Sequence, residues 1–290
     1  MSRIAAVINP AKFDPDELMR AIRDRAGAEV SCLLTTEADP GAGQARQAVA
    51  DGAKLLLACG GDGTVTACAG ALTGTGVAMA VLPDGTGNLL ARNLGIPLEL
   101  PDALEVAFAG SDRQLDVLAA GDLRFLVMAG LGFDAALIRD TDERQKATLG
   151  WPAYLGGFVR AIQRHRRTRY EIRLDDQPPL RRRAIGVLVG NVGQLEAGIT
   201  LLPDAAPDDG RLDVIVLAPR AGWDWPVLAG RILRKRPAAG RQADVLSGRR
   251  VRITAARPVP FEYDGDYVDE RTELDVTVLP GALLMRCPSR

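Results

Sequence analysis

Two glycine-rich turns carry the most chemistry in this sequence: Gly60-Gly61-Asp62-Gly63-Thr64 and, downstream, Gly85-Thr86-Gly87-Asn88. Each follows an apolar run (54–59 and 77–82) and opens onto a segment of helical pattern (64–73 and 89–94). Short apolar runs flanked by glycine read as buried parallel strands, so both turns fall at one edge of a sheet. Backbone N–H groups gathered ahead of a helix favour a bound anion, and glycine lets the chain approach it closely. That is the chemistry of a nucleotide phosphate site. Asp62, a carboxylate set between glycines, suits Mg²⁺ held through water beside such phosphates.

Other chemistries are excluded by what is missing. No lysine follows in the G-x-x-x-x-G-K-[ST] pattern, and the G-x-G-x-x-G spacing is absent, so neither a Walker A loop nor a dinucleotide fingerprint is present. His165 is the only histidine, and no G-x-S-x-G occurs, which removes histidine-ligated zinc and Ser-His-Asp catalysis. Cys32, Cys59, Cys68 and Cys287 show no C-x-x-C spacing and read as reduced thiols of a cytosolic protein. Chemistry must therefore come from carboxylates, backbone amides and hard metals.

The elements that position these turns follow from the pattern along the chain. Over about the first 120 residues short strands alternate with helical stretches: strands at 3–8, 29–34, 54–59 and 77–82, helices near 14–26, 43–51 and 102–109. This is the grammar of a parallel sheet covered by helices. After Gly110 the pattern changes. Segments 114–119 and 123–128 flank Ala120-Gly121-Asp122 as a hairpin. Strands at 170–174, 184–189, 212–217, 249–255, 261–263 and 274–279 follow, the signature of an antiparallel sandwich. Helical insertions are expected over 133–144 through 154–164 and over 223–234. The expected fold class is thus an α/β nucleotide-binding domain with a parallel sheet over 1–120, then a mainly antiparallel β-sandwich over 121–280. A last strand at about 281–290 has room to return to the first domain.

Composition is that of an ordinary soluble protein, 47% hydrophobic and 25% charged over 290 residues. No apolar run reaches the roughly 20 residues of a membrane span, and the N-terminal strand is too short for a signal peptide. Charge is uneven. Residues 151–250 carry 18 basic and 10 acidic side chains, a net of +8, whereas the remainder has 18 and 27, a net of −9. Basic clusters stand at Arg164-His165-Arg166-Arg167, Arg181-Arg182-Arg183 and Arg234-Lys235-Arg236. Such asymmetry marks an anionic partner, and the lack of interleaved aromatics favours a membrane surface over nucleic acid.

The ordered set of motifs resembles the diacylglycerol kinase catalytic-domain superfamily, in particular bacterial soluble lipid kinases related to sphingosine kinases. The likeness runs through Val7-Ile8-Asn9-Pro10, Gly60 to Val65, Leu82-Pro83-Asp84-Gly85-Thr86-Gly87-Asn88 with Ala91 to Pro97, Ala129 to Ala135, Pro203-Asp204-Ala205, Asp208 to Asp213, and Tyr263-Asp264-Gly265-Asp266. It implies that ATP is lined by Asn9, Pro10, Thr36, Gly60, Gly61, Asp62, Gly63, Thr64, Val65, Thr66, Gly85, Thr86 and Asn88. It places the general base at Asp264, with Asp266 as its rival; the family usually has glutamate where Asp266 stands. It also implies either a structural Mg²⁺ at Asp209 with the carbonyls of Ala206 and Arg211, or simply an acidic turn. Leu89 departs from the aspartate that many members carry there.

The resemblance therefore implies an ATP- and Mg²⁺-dependent kinase of a hydroxyl on a membrane-derived lipid, diacylglycerol-like or sphingoid-like. Its expected home is cytoplasmic and peripheral to an anionic membrane; a homodimer is allowed, and nucleic acid is not a partner. Candidate walls for the acyl chains are 125–133 and 151–158. A soluble-substrate kinase such as an NAD kinase, and a non-catalytic nucleotide-responsive membrane-binding protein, stay open as alternatives.

Overall fold

Four short apolar runs become parallel strands: β1 (Arg3–Ile8), β2 (Val30–Leu34), β3 (Ala53–Gly60) and β4 (Ala78–Pro83). The computed structural model describes residues 3–132, 167–194, 200–219, 224, 242–264 and 266–289. The strands stand in the order β2-β1-β3-β4, with Ala6 beside Cys32 on one side and Leu57 on the other. From Leu55 to Gly60 every residue of β3 is buried, as a strand covered on both faces must be.

Helices α1 (Pro15–Ala26), α2 (Ala42–Ala50), α3 (Asp62–Leu72), α4 (Leu89–Leu94) and α5 (Leu100–Ala109) connect and follow these strands. Leu18, Met19 and Ile22 of α1 and Ala103, Leu104 and Ala107 of α5 share one core with Ile4, Ala6, Ile8, Leu57 and Leu82. Helices α2 and α3 pack against each other and against β3. Asp14 caps α1, its carboxylate accepting the N–H groups of Asp16 (2.9 Å) and Glu17 (3.1 Å), and Gly27 ends the helix at φ 56°.

From β1 the chain runs outward to the edge strand β2, then returns past β1 to β3. The order therefore reverses between β1 and β3, and the loops leaving their C-terminal ends diverge around a crevice. In open α/β sheets that reversal is where ligands bind.

The remaining strands are β5 (Ser111–Ala120), β6 (Leu123–Phe125), β7 (Met128–Leu131), β8 (Thr168–Leu174), β9 (Leu180–Ala184), β10 (Gly186–Gly190), β11 (Leu212–Leu217), β12 (Ala243–Gly248), β13 (Arg250–Tyr263) and β14 (Asp266–Cys287). The chain forms two compact units. One comprises Met1–Val117, Leu123–Leu126 and Leu279–Arg290; the other comprises Leu118–Asp122 and Val127–Val278. In the first, the end of β14 runs parallel to β4, Leu284 beside Ala78 and Met285 beside Met79. In the second, β12-β11-β10-β7-β13 form an antiparallel series, and β9-β8-β13-β14 form another. Strand β13 serves both because its register slips between Thr254 and Val259. Such a bulge bends a strand and lets it pass from one sheet to the next.

Several boundaries differ from the sequence expectation for physical reasons. Helix α3 begins at Asp62 rather than Thr64, so the first glycine turn is tighter than expected. The segment expected as one strand over 184–189 is the end of β9 and then β10; β12 was not expected, and Arg250–Tyr263 is one continuous strand where two were expected over 249–255 and 261–263. The strand expected over 123–128 splits into β6 and β7 because the Val127 N–H is drawn out of the ladder to the Asp264 carboxylate (2.9 Å). The expected helical insertions at 133–164 and 223–234, with the wall at 151–158 and the basic clusters at 164–166 and 234–236, lie outside the described residues.

The Asp14 cap provides a direct check on the first unit. Asp14→Ala is expected to cost about 1 kcal/mol, read as a lower denaturant midpoint at unchanged slope.

Candidate active site

Four loops lie at the C-terminal edge of the parallel sheet, each held by short hydrogen bonds. After β1, the Asn9 N–H donates to the Cys59 carbonyl at the end of β3 (2.9 Å). The Asn9 side-chain oxygen accepts the Ala11 N–H (3.0 Å), which turns the chain into the exposed Pro10 loop. Asn9 is thereby fixed beside the β1/β3 crevice.

After β2, Thr36 and Asp39 close a turn on each other. The Thr36 N–H donates to the Asp39 carbonyl and the Thr36 hydroxyl accepts the Asp39 N–H, both at 3.0 Å. The Asp39 carboxylate then accepts the N–H groups of Gly41 (3.1 Å) and Gly43 (3.0 Å) at the start of α2. The Gly43 bond above all holds the Asp39 carboxyl below the usual aspartate range. Gly41 lies against α3: a Cβ there would meet Cys68 Sγ at 2.9 Å and the Thr64 carbonyl at 3.5 Å.

After β3 and β4 come the two glycine turns, and one side chain ties them together. Asp62 Oδ2 accepts the Asn88 N–H (2.8 Å), and its Oδ1 accepts the Leu89 N–H (2.7 Å). A carboxylate in the first turn of α3 thus caps α4. Asn88, at φ 48°, folds its own amide back on the second turn: Oδ1 accepts the Gly85 N–H (2.8 Å) and Nδ2 donates to the Gly85 carbonyl (2.7 Å). Arg92 closes the far side, its Nε donating to the Gly87 carbonyl (2.9 Å). The two turns press backbone to backbone, since a Cβ on Gly85 would come within 2.8 Å of Gly61 Cα.

Gly85 therefore serves loop-to-loop packing. The structure brings Asn9, Gly60, Gly61, Asp62, Thr64, Val65, Gly85, Thr86 and Asn88 to one sheet edge. Gly63 is exposed in the first turn of α3; Thr64 and Val65 are buried and Thr66 half-buried further along it. The α3 N-terminus leaves its first N–H groups without partners in the helix, which suits an anion.

The second unit carries the acidic hairpin. Tyr263 pairs in register with Asp266, so Asp264 occupies the tight turn between β13 and β14, at φ 46°. Asp264 is 5% exposed. Its Oδ1 accepts the N–H groups of Val127 (2.9 Å) and Met128 (3.0 Å), and its own N–H donates to the Met128 carbonyl (2.8 Å). Two backbone donors fix this carboxylate in one orientation. Asp266 is described by its backbone alone, and Gly265 lies outside the described residues. Glu262, fully buried opposite Gly130, is a further carboxylate near the turn.

At the turn before β11, Asp209 Oδ1 accepts the Arg211 N–H (2.9 Å), and the Arg211 guanidinium reaches the Ser247 hydroxyl and carbonyl. Burial pushes the nearby Asp213 carboxyl up, and the charges of Asp209 and Asp204 add to that rise, while a bond from Ser247 opposes it. Among the described residues no three His, Cys, Asp or Glu side chains gather to hold a metal ion. A cation here would rest on one carboxylate and carbonyl oxygens.

Sequence reasoning passed over Asp39, Arg92 and Glu262. Asp39-Pro40-Gly41 ahead of a helix was a legible capping signal; nothing in the sequence marked the reach of Arg92 or the burial of Glu262.

Comparison with known proteins decides the family. Residues 10–120 match the diacylglycerol kinase catalytic domain, and 127–287 match the YegS C-terminal NAD kinase beta sandwich-like domain. A Pseudomonas aeruginosa protein named "Probable lipid kinase YegS-like" is 32% identical, over 99% of this chain and 95% of that protein. The chain belongs to the YegS-like lipid kinase family.

A YegS-like relative from Klebsiella pneumoniae is 29% identical over 94% of this chain and 90% of its own. The chain spans 57% of the sll0036 protein of Synechocystis sp., at 25% identity over 83% of this chain. The fold is also that of a diacylglycerol kinase structure from Bacillus anthracis str. Sterne (TM-score 0.76, 20% identity, 99% and 97% of the two chains covered). More distantly it is that of an Archaeoglobus fulgidus NAD kinase in complex with ATP (TM-score 0.55, 13% identity, 98% and 93% covered). YegS-like kinases thus share their two-unit plan with NAD kinases.

The contact between the two turns can be probed directly. Gly85→Ala is expected to cost about 1–3 kcal/mol by overpacking against Gly61 and to weaken ATP binding in the same variant. An unchanged melting temperature with normal ATP titration would show that the turns can separate freely.

Proposed function

We propose that this protein transfers the γ-phosphoryl group of ATP to a hydroxyl of a membrane-derived lipid, diacylglycerol-like or sphingoid-like, at an anionic membrane surface. The first unit supplies the phosphate-holding loops. Asn9, Thr36, Gly60 to Thr66, Gly85, Thr86 and Asn88 line the triphosphate: the amides of Asn9, Thr36, Gly85 and Asn88 hold the loops together, and the first turn of α3 with the Thr86 hydroxyl supplies the donors. Asp62 acts as a positioning residue whose clasp sets the two glycine turns. Phosphoryl transfer asks little covalent chemistry of a protein and much positioning and charge stabilisation, which fixed amides supply.

The second unit supplies the base. A buried carboxylate costs free energy unless its surroundings satisfy it, and Asp264 is satisfied by two backbone N–H groups. This single observation supports the reading that Asp264, held in one orientation on its hairpin turn, is the carboxylate that accepts the hydroxyl proton. Asp266 is the alternative acceptor.

When bound with ATP, Mg²⁺ would neutralise phosphate charge. A second, structural Mg²⁺ fits the 208–213 turn, where Asp209 with the carbonyls of Ala206 and Arg211 would hold it. The charges of Asp209 and Asp204 add to the rise that burial imposes on the Asp213 carboxyl, which suits a cation there.

Asp264→Asn is the decisive variant, because its amide oxygen can still accept the Val127 and Met128 N–H groups. Turnover should fall by about 10²–10⁴-fold with ATP binding retained. Near-normal turnover, with Asp266→Asn inactive, would move the base to Asp266.

A pH test addresses the acidic turn. Asp213 holds its proton more tightly folded than unfolded, so the folded chain loses stability as pH rises above the ordinary aspartate value of 3.8. Asp213→Asn is expected to raise the melting temperature at neutral pH, the gain fading as pH falls towards that value. Added Mg²⁺ should raise the melting temperature of the native chain, and Asp209→Asn should remove most of that effect.

A further inference from the structure

The second unit presents an outward strand face whose charges do not balance. Along β8, Arg169, Glu171 and Arg173 alternate with the buried Tyr170, Ile172 and Leu174. In register, Arg169 stands opposite Arg183 of β9, and Glu171 stands opposite Arg181. Arg173 faces Arg252 of β13, and Arg252 faces Asp275 of β14. One antiparallel face therefore carries rows of guanidinium groups at strand spacing.

Two carboxylates on this face, Glu171 and Asp275, are each shared. Glu171 accepts from Arg173 (2.6 Å) and Arg181 (2.8 Å), and Asp275 accepts from Arg250 and Arg252, both at 2.8 Å. One negative charge serves two positive ones in each case, so each trio keeps a positive charge. Glu273, across from Thr254, is the remaining carboxylate of the face. Arg169 and Arg183 have no ion pair among the described residues. Like charges directly opposite across two strands are destabilising by themselves. A groove of about 500 Å³ borders this pair, with Arg181, Arg182, Tyr170 and Ala255 among its other lining residues.

We propose that this arginine face of β8, β9 and β13 is the surface by which the protein docks on an anionic phospholipid bilayer, a headgroup phosphate sitting between Arg169 and Arg183. Guanidinium pairs match phosphate oxygens in geometry and charge, and a phosphate relieves the repulsion between the two side chains. Exposure decides for a surface over an enclosed soluble anion. The side chains of Arg173, Arg181, Arg250 and Arg252 are 59%, 76%, 59% and 56% exposed, so the guanidiniums stand in solvent across several strands. Such a patch suits a sheet of phosphates. The purpose of the docking rests on the lipid-kinase reading above, but its geometry does not.

Co-sedimentation of the full chain with phosphatidylcholine vesicles, with and without phosphatidylglycerol, tests the assignment. The native chain should bind the anionic vesicles and not the neutral ones. Arg169→Gln with Arg183→Gln should weaken that binding roughly thirtyfold, as expected for two basic residues at an anionic surface. Arg23→Gln with Arg25→Gln, the same charge change on the exposed face of α1, should leave it near native. Equal loss in both double variants would reduce the effect to net charge and overturn the proposal. So would native vesicle binding by the Arg169/Arg183 variant, or displacement of the vesicles by stoichiometric glycerol 3-phosphate. Turnover of diacylglycerol in neutral detergent micelles should be the same in all three proteins. Absence of turnover in the native chain would reject the kinase reading while the vesicle result still decides the docking face.

Discussion

The bond from the Asp62 carboxylate to the N–H groups of Asn88 and Leu89 is the constraint on which the nucleotide-facing edge depends. Two glycine turns leaving adjacent strands are each mobile by composition. Joined through one carboxylate, they become a single surface of backbone donors. The clasp also sets the distance at which Gly61 and Gly85 meet, and this explains why Gly85 cannot carry a Cβ without the turns moving apart. The Asn88 side chain then spends both its oxygen and its nitrogen on its own turn. Rigidity here comes from side chains that serve the backbone, which leaves other backbone amides to serve a ligand.

The same device recurs through the chain. Asp39 holds Gly41 and Gly43, Asp175 holds Arg249 and Arg250, Asp116 holds Gly281, and Asp264 holds Val127 and Met128. In each case a short acidic side chain accepts backbone N–H groups, most from a segment distant in sequence. Hydrogen bonds to an ionised group contribute about 1.5–3 kcal/mol, against about 0–1 kcal/mol for an exposed ion pair. These aspartates therefore outweigh the arginine ion pairs as ties. The arginines, held on exposed strand faces, contribute charge more than stability.

Periodicity made most of the first unit legible. Strands β1, β3 and β4 are apolar throughout because both faces are covered, and the glycine turns mark their ends. The turn residues 85–88 and the Asp264 hairpin were legible for the same reason, since Asp-Gly between β-patterned runs has few other uses. What the sequence hid was tertiary. Nothing local shows that Asp62 reaches across to α4, or that Val127 leaves its ladder for Asp264. Strand β12 and the continuity of β13 were hidden too. Val245 is exposed on an edge strand, and the bulge at 255–258 interrupts the alternation that would have joined the two halves of β13.

A cradle of backbone amides binds phosphate by shape and charge and has little means of selecting the acceptor of the phosphoryl group. On the kinase reading proposed above, selection resides where side chains differ, in the second unit. There the inward positions of β8, β10 and β11 are apolar and unremarkable as core, whereas the outward face of β8, β9 and β13 departs from what stability alone would favour. A fold seeking only stability would match each exposed guanidinium to its own carboxylate, or replace it. Retaining opposed arginines and sharing each carboxylate between two of them sacrifices some of that stability for a field that attracts anions. The net charge of −1 conceals this, because the excess of acid lies in the rest of the chain.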